Sequence, residues 1–329
     1  MNVVATGMTG VIGRHLHELA IPLKVDLENI EQSDIVSKIS GTQSLIHLAG
    51  VVGEQKVTSN KEYSYSVNVN GAEELAQKYY KHSTGVFIYV SSSHVYKPSR
   101  QLLIEDSEVG PTSNYAIQKL QAEVKIKSVF KEDPERLVIV RLFSVLGDGM
   151  PDFSLGGAIR RLVDDKQSVI HNCDDVRDFL SPKVAARCIL EIAQSKDVHG
   201  TFNLCSGNAQ SIKEAILSRL SPTLHEEVTS RLLSGNSVNP FIVGSNSKLL
   251  GSSSIAPKHV EGRFWTLISD CMCYLFISFT RCFVCRNAEV NEVIIYCTDN
   301  TFVGAIARVL VGLNHNQDSL FEPFSHIAG

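Results

Sequence analysis

The sequence predicts an α/β protein built on a doubly wound parallel sheet, with helices on both faces and a smaller C-terminal substrate-binding lobe. Short apolar runs alternate with longer stretches of helical periodicity, which is the rhythm of successive strand–helix units. The apolar runs lie at residues 2–6, 44–49, 86–90 and 137–142, and the clearest helical stretches at 70–82 and 114–131. A glycine cluster directly follows the first run. Parallel sheets of this kind bind ligands beyond the carboxyl ends of their strands.

The first strand runs into the stretch VVATGMTGVIG, residues 3–13, which carries glycines at positions 7, 10 and 13. In a dinucleotide-binding turn, Gly7 would allow the tight turn, Gly10 the close approach of a pyrophosphate, and Gly13 the packing of the next helix. A phosphate would then rest on the N-terminus of that helix. Glycines that only permit a tight strand-to-helix turn are the alternative interpretation.

The composition describes a globular protein with a sizeable core, because 43% of the 329 residues are hydrophobic and 20% are charged. The formal net charge is −4 and we find no basic block, so neither nucleic acid nor an anionic membrane surface is expected as a partner. The first strand begins at Asn2, which leaves no room for a secretory signal, and a cytoplasmic location is expected. The eight cysteines are then expected as reduced thiols.

Six short motifs follow one another along the chain. They are TGMTGVIG (6–13), LIHLAG (45–50), VNVNG (67–71), YVSSSHVY (89–96), YAIQK (115–119) and RLFSVLG (141–147). In this order and spacing they resemble the extended short-chain dehydrogenase/reductase superfamily, and within it the NAD-dependent epimerase/dehydratase family of nucleotide-sugar enzymes. Three later segments resemble the sugar-nucleotide-binding half of that family, so the resemblance covers roughly residues 1–268. These segments lie at 176–189, 200–207 and 247–262.

The resemblance implies a Rossmann-like domain over residues 1–150, to which later segments return, and a nucleotide-sugar-binding lobe over residues 151–268. Residues 269–329 form an extension that it leaves unassigned. NAD or NADP is the implied cofactor and a nucleotide sugar the implied substrate. The implied cofactor-binding residues are Gly7, Thr9, Gly10, Val11, Ile12, Asp26, Leu27, Leu48, Ala49, Gly50, Asn68, Tyr115 and Lys119. Family members often pair two helices across a dimer, so a homodimer through the segment AIQKLQAEVKI is also expected.

The acidic residue that normally ends the second strand of a dinucleotide fold is hard to place in this chain. Only 31 residues separate Gly13 from Leu45, and VDLEN, residues 25–29, resembles the family's later Asp-Leu element beside the adenine. The second strand is then shortened or absent, and Asp26 contacts the adenine. In the alternative interpretation PLKVD, residues 22–26, is itself the second strand and Asp26 binds the ribose. The choice between NAD and NADP therefore stays open.

Tyr115 and Lys119 are the predicted catalytic pair, together with Ser92 near the end of a strand. Residues four apart share one face of a helix, which brings the Lys119 ammonium near the Tyr115 phenol. An unperturbed tyrosine has a pKa of about 10, too high for acid–base work at neutral pH, and the cation favours the phenolate. In the family motif, the lysine also holds the cofactor ribose. The serine hydrogen-bonds the sugar oxygen that exchanges a proton with the tyrosine. An exposed helix pair is the alternative, and the strand-end serine disfavours it.

Residues around the predicted sugar site depart from the family pattern. Family dehydratases carry an Asp-Glu pair after the catalytic serine or threonine, whereas this chain has Ser93-His94, which disfavours dehydration. The residues predicted to contact the substrate are Ser93, His94 and Ser144. No catalytic role is predicted for His94. Arg177 is predicted to bind the diphosphate, because a guanidinium matches two phosphate oxygens at once. A salt bridge between Arg177 and a nearby carboxylate such as Asp178 is the alternative.

Redox chemistry on a nucleotide-linked sugar is the function that these residues and the resemblance predict. Epimerisation at C4 through a transient 4-keto intermediate comes first, on the resemblance alone, and reduction of a 4-keto-6-deoxy nucleotide sugar is the alternative. A shortened adenosine region would also fit a protein of another class, a sensor or scaffold that binds a dinucleotide without catalysis. The complete Ser/Tyr/Lys set favours an enzyme.

The end of the chain is apolar and rich in cysteine, with five of the eight cysteines between residues 271 and 297. Residues 264–285 are apolar enough to suggest a membrane span, but Asp270 and Arg281 interrupt them and a span is disfavoured. A CxC pair and a CxxC pair in this region lack a familiar zinc spacing, so no metal site is predicted. Further on, EVIIYC resembles a strand and VGAIARVLVGL a helix.

Overall fold

The computed structural model describes residues 2–30, 34–195 and 197–252, together with the backbone of three strands between residues 282 and 310. The chain divides into two compact units, Met1–Gly262 and Arg263–Gly329. The strands are β1 (Val3–Thr6), β2 (Ile21–Pro22), β3 (Ser44–His47), β4 (Val86–Ser92), β5 (Leu137–Leu142), β6 (Ser144–Val145), β7 (Val176–Arg177), β8 (Phe179–Leu180), β9 (Gly200–Leu204), β10 (Gln210–Ser211), β11 (Phe241–Ile242), β12 (Cys282–Asn287), β13 (Glu292–Cys297) and β14 (Arg308–Leu310).

The α-helices of the described residues all lie in the first unit. They are α1 (Val36–Ile39), α2 (Glu54–Ser59), α3 (Lys61–Tyr65), α4 (Ala72–His82), α5 (Asn114–Val129), α6 (Leu155–Asp164), α7 (Pro182–Gln194), α8 (Ile212–Leu217), α9 (Pro222–Thr229) and α10 (Ser247–Leu250). A π-helical turn, Ser66–Gly71, leads into α4. Short 3₁₀ helices occur at Gly13–Leu16, Ser93–Val95 and Pro134–Arg136.

A six-stranded parallel sheet in the order β2-β1-β3-β4-β5-β9 forms the centre of the first unit and confirms the predicted α/β fold. Strands β1 and β3 are buried along their whole length, as expected for strands with helices on both faces. Side chains alternate between the two faces. Val3 and Ala5 pack in the same core as α7, whereas Val4 packs in the core that contains α4 and α5.

Strand β2 is only two residues long and forms one edge of this sheet. Ile21 pairs with Val4 of β1, and the Leu23 N–H adds one more bond, to the Ala5 carbonyl oxygen at 2.7 Å. Asp26 lies beyond the strand. The shortened second strand is therefore found, and the longer strand over residues 22–26 is not.

The connection between the glycines and β2 is also short. The sequence predicts a helix after Gly13, but the chain forms a single 3₁₀ turn, Gly13–Leu16, and then enters β2. Seven residues separate Gly13 from Ile21, and this length is too short for the usual crossover helix between parallel strands. The expectation of a full helix whose N-terminus holds a phosphate is corrected here.

A second group of elements surrounds its own apolar core, which includes Leu146, Ile159, Leu162 and Ile216. It contains the three-stranded sheet β10-β7-β11, the pair β6-β8 and the helices α6, α8 and α9. Strand β9 returns from this region to the edge of the main sheet, and α7 packs on that sheet. Ser144 follows the carboxyl end of β5 by two residues, and Arg177 lies in β7 of the three-stranded sheet.

The second unit contains an antiparallel sheet in the order β12-β13-β14. The strand predicted from EVIIYC is confirmed as β13. Arg308–Leu310, inside the predicted helix VGAIARVLVGL, form β14 instead, because pairing with β13 overrides the local helical pattern. Asp270, Arg281 and the CxC pair lie outside the described residues. In the described part of the chain, no helix is long and apolar enough to cross a membrane, and no cluster of three or more metal-ligating side chains occurs.

Candidate active site

The glycine turn after β1 is too tightly packed for side chains at two of its three glycines. Gly7 has a φ of +70°, and a Cβ there would lie 2.6 Å from the Ala49 amide nitrogen. A Cβ at Gly13 would overlap the Gly7 carbonyl oxygen and lie 2.6 Å from Met8 Cα. At Gly10, the one described atom within 4 Å of such a Cβ is the Gly7 carbonyl oxygen, at 3.2 Å. Gly10 therefore presents bare backbone, and the turn fits a pyrophosphate on that side.

Arg14, the residue after the turn, links it to the loop that follows β6. Its guanidinium donates hydrogen bonds to the carbonyl oxygens of Asp148 and Gly149, the latter at 3.1 Å. The other predicted cofactor residues of the turn are exposed or half-buried: Thr9, Val11 and Ile12. Backbone and side chains of this turn are thus accessible at the carboxyl end of β1, where the resemblance places the cofactor.

The loop after β3 lies directly beside the glycine turn and carries the predicted cofactor residues Leu48, Ala49 and Gly50. The Thr6 hydroxyl accepts a hydrogen bond from the Ala49 N–H at 3.2 Å and lies 2.8 Å from His47 Nδ1. Burial, with a further contribution from the positive charge of Lys119, lowers the pKa of His47 to about 3. His47 is therefore neutral at physiological pH, and the hydrogen bond between its ring and the Thr6 hydroxyl is buried.

Asn68 holds the far end of the same loop. Its side-chain oxygen accepts from the Val51 N–H at 2.7 Å, and its amide group donates to the Val51 carbonyl oxygen at 3.0 Å and to Gln118 at 2.9 Å. A Cβ at Gly50 would lie 2.8 Å from the Asn68 side-chain oxygen. Asn68 is a predicted cofactor residue, and its side-chain amide forms the hydrogen bonds that fix this loop.

Asp26 and Leu27 lie just past β2. Asp26 is exposed, and its carboxylate accepts hydrogen bonds from the Asn29 side chain at 3.2 Å and from the Glu28 N–H at 3.0 Å, which lower its pKa. Leu27 is buried, and its carbonyl oxygen packs against Gly71 so closely that a Cβ there would overlap it. The turn at residues 26–29 is thus held against the start of α4.

The predicted catalytic residues come from β4 and from the first two turns of α5. Ser92 ends β4 and is buried, and its hydroxyl oxygen accepts from the His94 N–H at 3.2 Å. Lys119 is also buried, and its ammonium donates to the Val90 carbonyl oxygen at 2.9 Å and lies 4.8 Å from the centre of the Tyr89 ring. Tyr115 lies one helical turn before Lys119. Ser92 and the Lys119 ammonium thus lie near the carboxyl end of β4, and Tyr115 lies on the same helix as Lys119.

Burial shifts both members of the Tyr–Lys pair towards their neutral forms. It raises the pKa of Tyr115 to about 12. It lowers the pKa of Lys119 to about 8, although the Glu123 carboxylate acts in the opposite direction. The Tyr115 phenol is therefore protonated at neutral pH and can donate a proton to an oxygen atom placed beside it.

The predicted substrate residues directly follow Ser92 in the chain or lie in the second group of elements. Ser93 and His94 form the 3₁₀ helix after β4, and Ser144 begins β6. His94 reaches the surface, and desolvation by the surrounding protein together with the nearby Arg177 charge lowers its pKa to about 4. The Arg177 charge thus acts on His94 in the same direction as desolvation.

Arg177 forms a salt bridge, but its partner is Asp175 rather than Asp178. The Arg177 guanidinium lies 2.9 Å from the Asp175 carboxylate, and the two side chains are only 14% and 6% exposed. Asp178 is buried and accepts hydrogen bonds from the Ser206 hydroxyl at 2.7 Å and the Gly207 N–H at 2.8 Å. The Asp178 carboxylate is bonded to the residues that follow β9 and makes no ion pair with Arg177 among the described residues.

The sequence did not predict one residue that contacts α5, the helix of Tyr115 and Lys119. Glu54, the first residue of α2, accepts hydrogen bonds from the N–H groups of Asn114 and Tyr115 at 3.1 and 3.0 Å and from the Asn114 side chain at 2.8 Å. Tyr115 lies 61 positions after Glu54 in the sequence. No local motif predicts a contact over that distance.

The sheet order and the glycine turn together define an α/β protein of the dinucleotide-binding class. Residues 3–205 match the model of the NAD dependent epimerase/dehydratase family, and the chain belongs to this family. The resemblance inferred from the motifs is therefore confirmed, as is the assignment to NAD(P)-dependent enzymes of nucleotide-sugar metabolism.

Relatives in this family carry out different reactions. The GDP-6-deoxy-D-mannose reductase of Pseudomonas aeruginosa is 26% identical over 234 residues, which are 64% of this chain and 76% of the relative. The uncharacterized UDP-glucose epimerase YtcB of Bacillus subtilis is 24% identical over 216 residues, 54% of this chain and 68% of the relative. At these identities the relatives do not distinguish an epimerase from a reductase.

Solved structures share the fold. RMD from Pseudomonas aeruginosa, complexed with NADPH, is 22% identical with a TM-score of 0.64 over 82% of this chain and 99% of that one. DesIV, a dTDP-glucose 4,6-dehydratase from Streptomyces venezuelae with NAD and TYD bound, is 14% identical with a TM-score of 0.70 over 84% of this chain and 98% of that one. Both likenesses concern the fold.

Proposed function

We propose that the protein reduces a nucleotide-linked 4-keto sugar, with NADPH or NADH as the hydride donor. Ser92, Tyr115 and Lys119 are the proposed catalytic residues. The bound nicotinamide supplies the hydride. The Ser92 hydroxyl donates a hydrogen bond to the sugar carbonyl oxygen, and the Tyr115 phenol gives that oxygen a proton as the alcohol forms. The Lys119 ammonium, held by the Val90 carbonyl oxygen, stabilises the phenolate that remains.

The observation that carries the choice of a reductase is the two-residue strand β2. An epimerase recovers its cofactor in every cycle and benefits from holding it tightly, whereas a reductase must release the oxidised cofactor after each turnover. Among the described residues, a short β2 with the Asp26 carboxylate hydrogen-bonded within its own turn offers few groups to hold the adenosine. This arrangement suits exchange better than retention.

Residues 151–268 are the proposed nucleotide-sugar lobe. Within it, Arg177 is the proposed diphosphate ligand, because its salt bridge with Asp175 orients the guanidinium and leaves further N–H donors for phosphate oxygens. Ser93, His94 and Ser144 are the proposed contacts to the sugar. His94 with its lowered pKa is neutral at pH 7, so it would recognise a hydroxyl rather than a charge.

Epimerisation at C4 is the second candidate, and the motifs together with a relative named as a UDP-glucose epimerase favour it. It uses the same catalytic residues and differs in the fate of the hydride, which returns to the sugar. The epimerase would consume no cofactor, and the reductase would consume one for each sugar reduced.

Cofactor consumption tests the proposal. Purified protein is incubated with NADPH or NADH and a GDP- or UDP-linked 4-keto-6-deoxy sugar, and in parallel with UDP-hexoses and catalytic NAD. The proposal predicts stoichiometric loss of the reduced-nicotinamide absorbance in the first assay and no hexose interconversion in the second. Interconversion of the hexoses without net absorbance change would establish the epimerase instead. Binding of a dinucleotide with neither reaction would support a sensor or scaffold.

A further inference from the structure

The helix that carries Tyr115 begins with an unusual cap from a distant part of the chain. Its N-cap, Ser113, accepts a hydrogen bond from the Ala116 N–H at 3.2 Å, which leaves the two earlier N–H groups of the helix without a local partner. The Glu54 carboxylate accepts both of them, from Asn114 at 3.1 Å and from Tyr115 at 3.0 Å. A carboxylate at this end of a helix is also favoured by the helix dipole.

The Glu54 carboxylate is itself held in place. It accepts two further hydrogen bonds, from the Asn114 side chain at 2.8 Å and from the Thr58 hydroxyl at 3.1 Å. Glu54 is exposed, and the desolvation that remains would raise its pKa, but the hydrogen bonds from Tyr115, Asn114 and Thr58 outweigh it and lower the pKa. The carboxylate therefore stays charged at neutral pH and fully able to accept.

The segment that carries Glu54 starts from the loop beside the glycine turn. After Gly50, the backbone of Val51 is fixed by Asn68, and Gly53 then turns the chain with a φ of +97° into α2. A short run of backbone, held at both ends, thus joins the proposed cofactor loop to the backbone of Tyr115.

We infer that Glu54 is a positioning residue for catalysis: by holding the backbone N–H of Tyr115, it fixes where the phenol lies relative to Ser92. This inference rests on the proposed function. Glu54 touches Tyr115 through the main chain and takes no part in proton transfer. Because a misplacement of about 1 Å can cost a reaction about a hundredfold, losing this cap lowers kcat more than it lowers affinity.

The test compares Glu54→Ala and Glu54→Gln with two matched controls. Glutamine keeps the size of the side chain but has one acceptor oxygen, so it can hold one of the two N–H groups well. Thr58→Ala removes one hydrogen bond to Glu54 and leaves the contacts to α5. Ser113→Ala removes the cap on Ala116 and leaves the N–H of Tyr115 bonded to Glu54. Amide hydrogen exchange, cofactor affinity by calorimetry, and kcat and KM are measured for each protein.

We expect the amides of Asn114 and Tyr115 to exchange at least about tenfold faster in Glu54→Ala, with Ala116 unchanged, and the reverse pattern in Ser113→Ala. For Glu54→Ala, kcat should fall by about tenfold to a hundredfold while KM and the cofactor Kd change by less than about threefold. Glu54→Gln should lie between this variant and the wild type, and Thr58→Ala should match the wild type within about twofold.

Two results would overturn the inference. One is an exchange rate at Tyr115 that does not respond to the loss of Glu54. The other is a parallel loss of folding, cofactor affinity and kcat in both Glu54 variants, which would assign Glu54 to general stability. If Glu54→Ala does not fold, Glu54→Gln decides between these outcomes. Absence of any turnover by the wild type would refute the proposed function, and the exchange data would still decide whether Glu54 holds Tyr115.

Discussion

Replacing Gly10 with valine should abolish tight cofactor binding without unfolding the protein. A Cβ at Gly10 meets the Gly7 carbonyl oxygen at 3.2 Å and no other described atom within 4 Å, and the residue is not in the positive-φ region. The folding cost of Gly10→Val should therefore stay within about 1 kcal/mol. The branched side chain would occupy the space where a pyrophosphate approaches the backbone. We expect at least a tenfold to hundredfold weaker Kd, equivalent to about 1.4 to 2.7 kcal/mol.

Gly13→Ala is the matched control, because the added Cβ would overlap the Gly7 carbonyl oxygen and lie 2.6 Å from Met8 Cα. These are backbone atoms that cannot rotate away, so overpacking should lower the free energy of unfolding by about 2 to 3 kcal/mol. Calorimetric titration with NADPH and NADH measures the first effect and urea unfolding the second. An unchanged cofactor affinity in folded Gly10→Val would show that the glycines only form a tight turn.

Two further predictions concern stability. Arg141 and Glu123 form a salt bridge at 2.8 Å, and their side chains are only 6% and 1% exposed. Glu123→Gln should therefore lower the free energy of unfolding, measured in urea, by about 3 kcal/mol. A loss below about 1 kcal/mol would contradict this account. Burial, together with the charge of Lys119, lowers the pKa of His47 from 6.5 to about 3. Between pH 6.5 and pH 3, His47 therefore binds a proton in the unfolded chain but not in the folded protein. The free energy of unfolding should therefore fall as pH falls below 6.5, with a contribution from His47 of up to about 1.4 kcal/mol per pH unit. His47→Gln should remove that contribution, and an unchanged slope would contradict the assignment.

The central sheet could be predicted from sequence because its strands are continuous apolar runs that carry their own signal. The strands at 44–47 and 137–142 and the helix over 114–129 lie where periodicity and composition predict them. No local signal of this kind shows that the helix expected after Gly13 is missing. Its absence depends on the seven-residue connection to β2 and on the pairing of β2 with β1, which no local pattern describes.

The placement of the proposed catalytic residues on secondary structure could be predicted, because Tyr115 and Lys119 are four apart on one helix and Ser92 ends a strand. The partners of these residues could not. Arg177 pairs with Asp175, two residues away, rather than with its neighbour Asp178, whose carboxylate is bonded to Ser206 and Gly207. Glu54 reaches α5 only through the tertiary fold. The proposed pairing of α5 between two copies stays a prediction.

The effect of Tyr115→Phe on turnover tests the central claim most directly, because this change removes only the hydroxyl that gives up the proton. The variant should fold normally and bind NADPH or NADH with the affinity of the wild type, as measured by calorimetry. Its rate of reduction of a nucleotide-linked 4-keto sugar should fall by about a hundredfold or more. Near-normal turnover by a folded variant that still binds the cofactor would contradict the assignment of Ser92, Tyr115 and Lys119 as the catalytic residues.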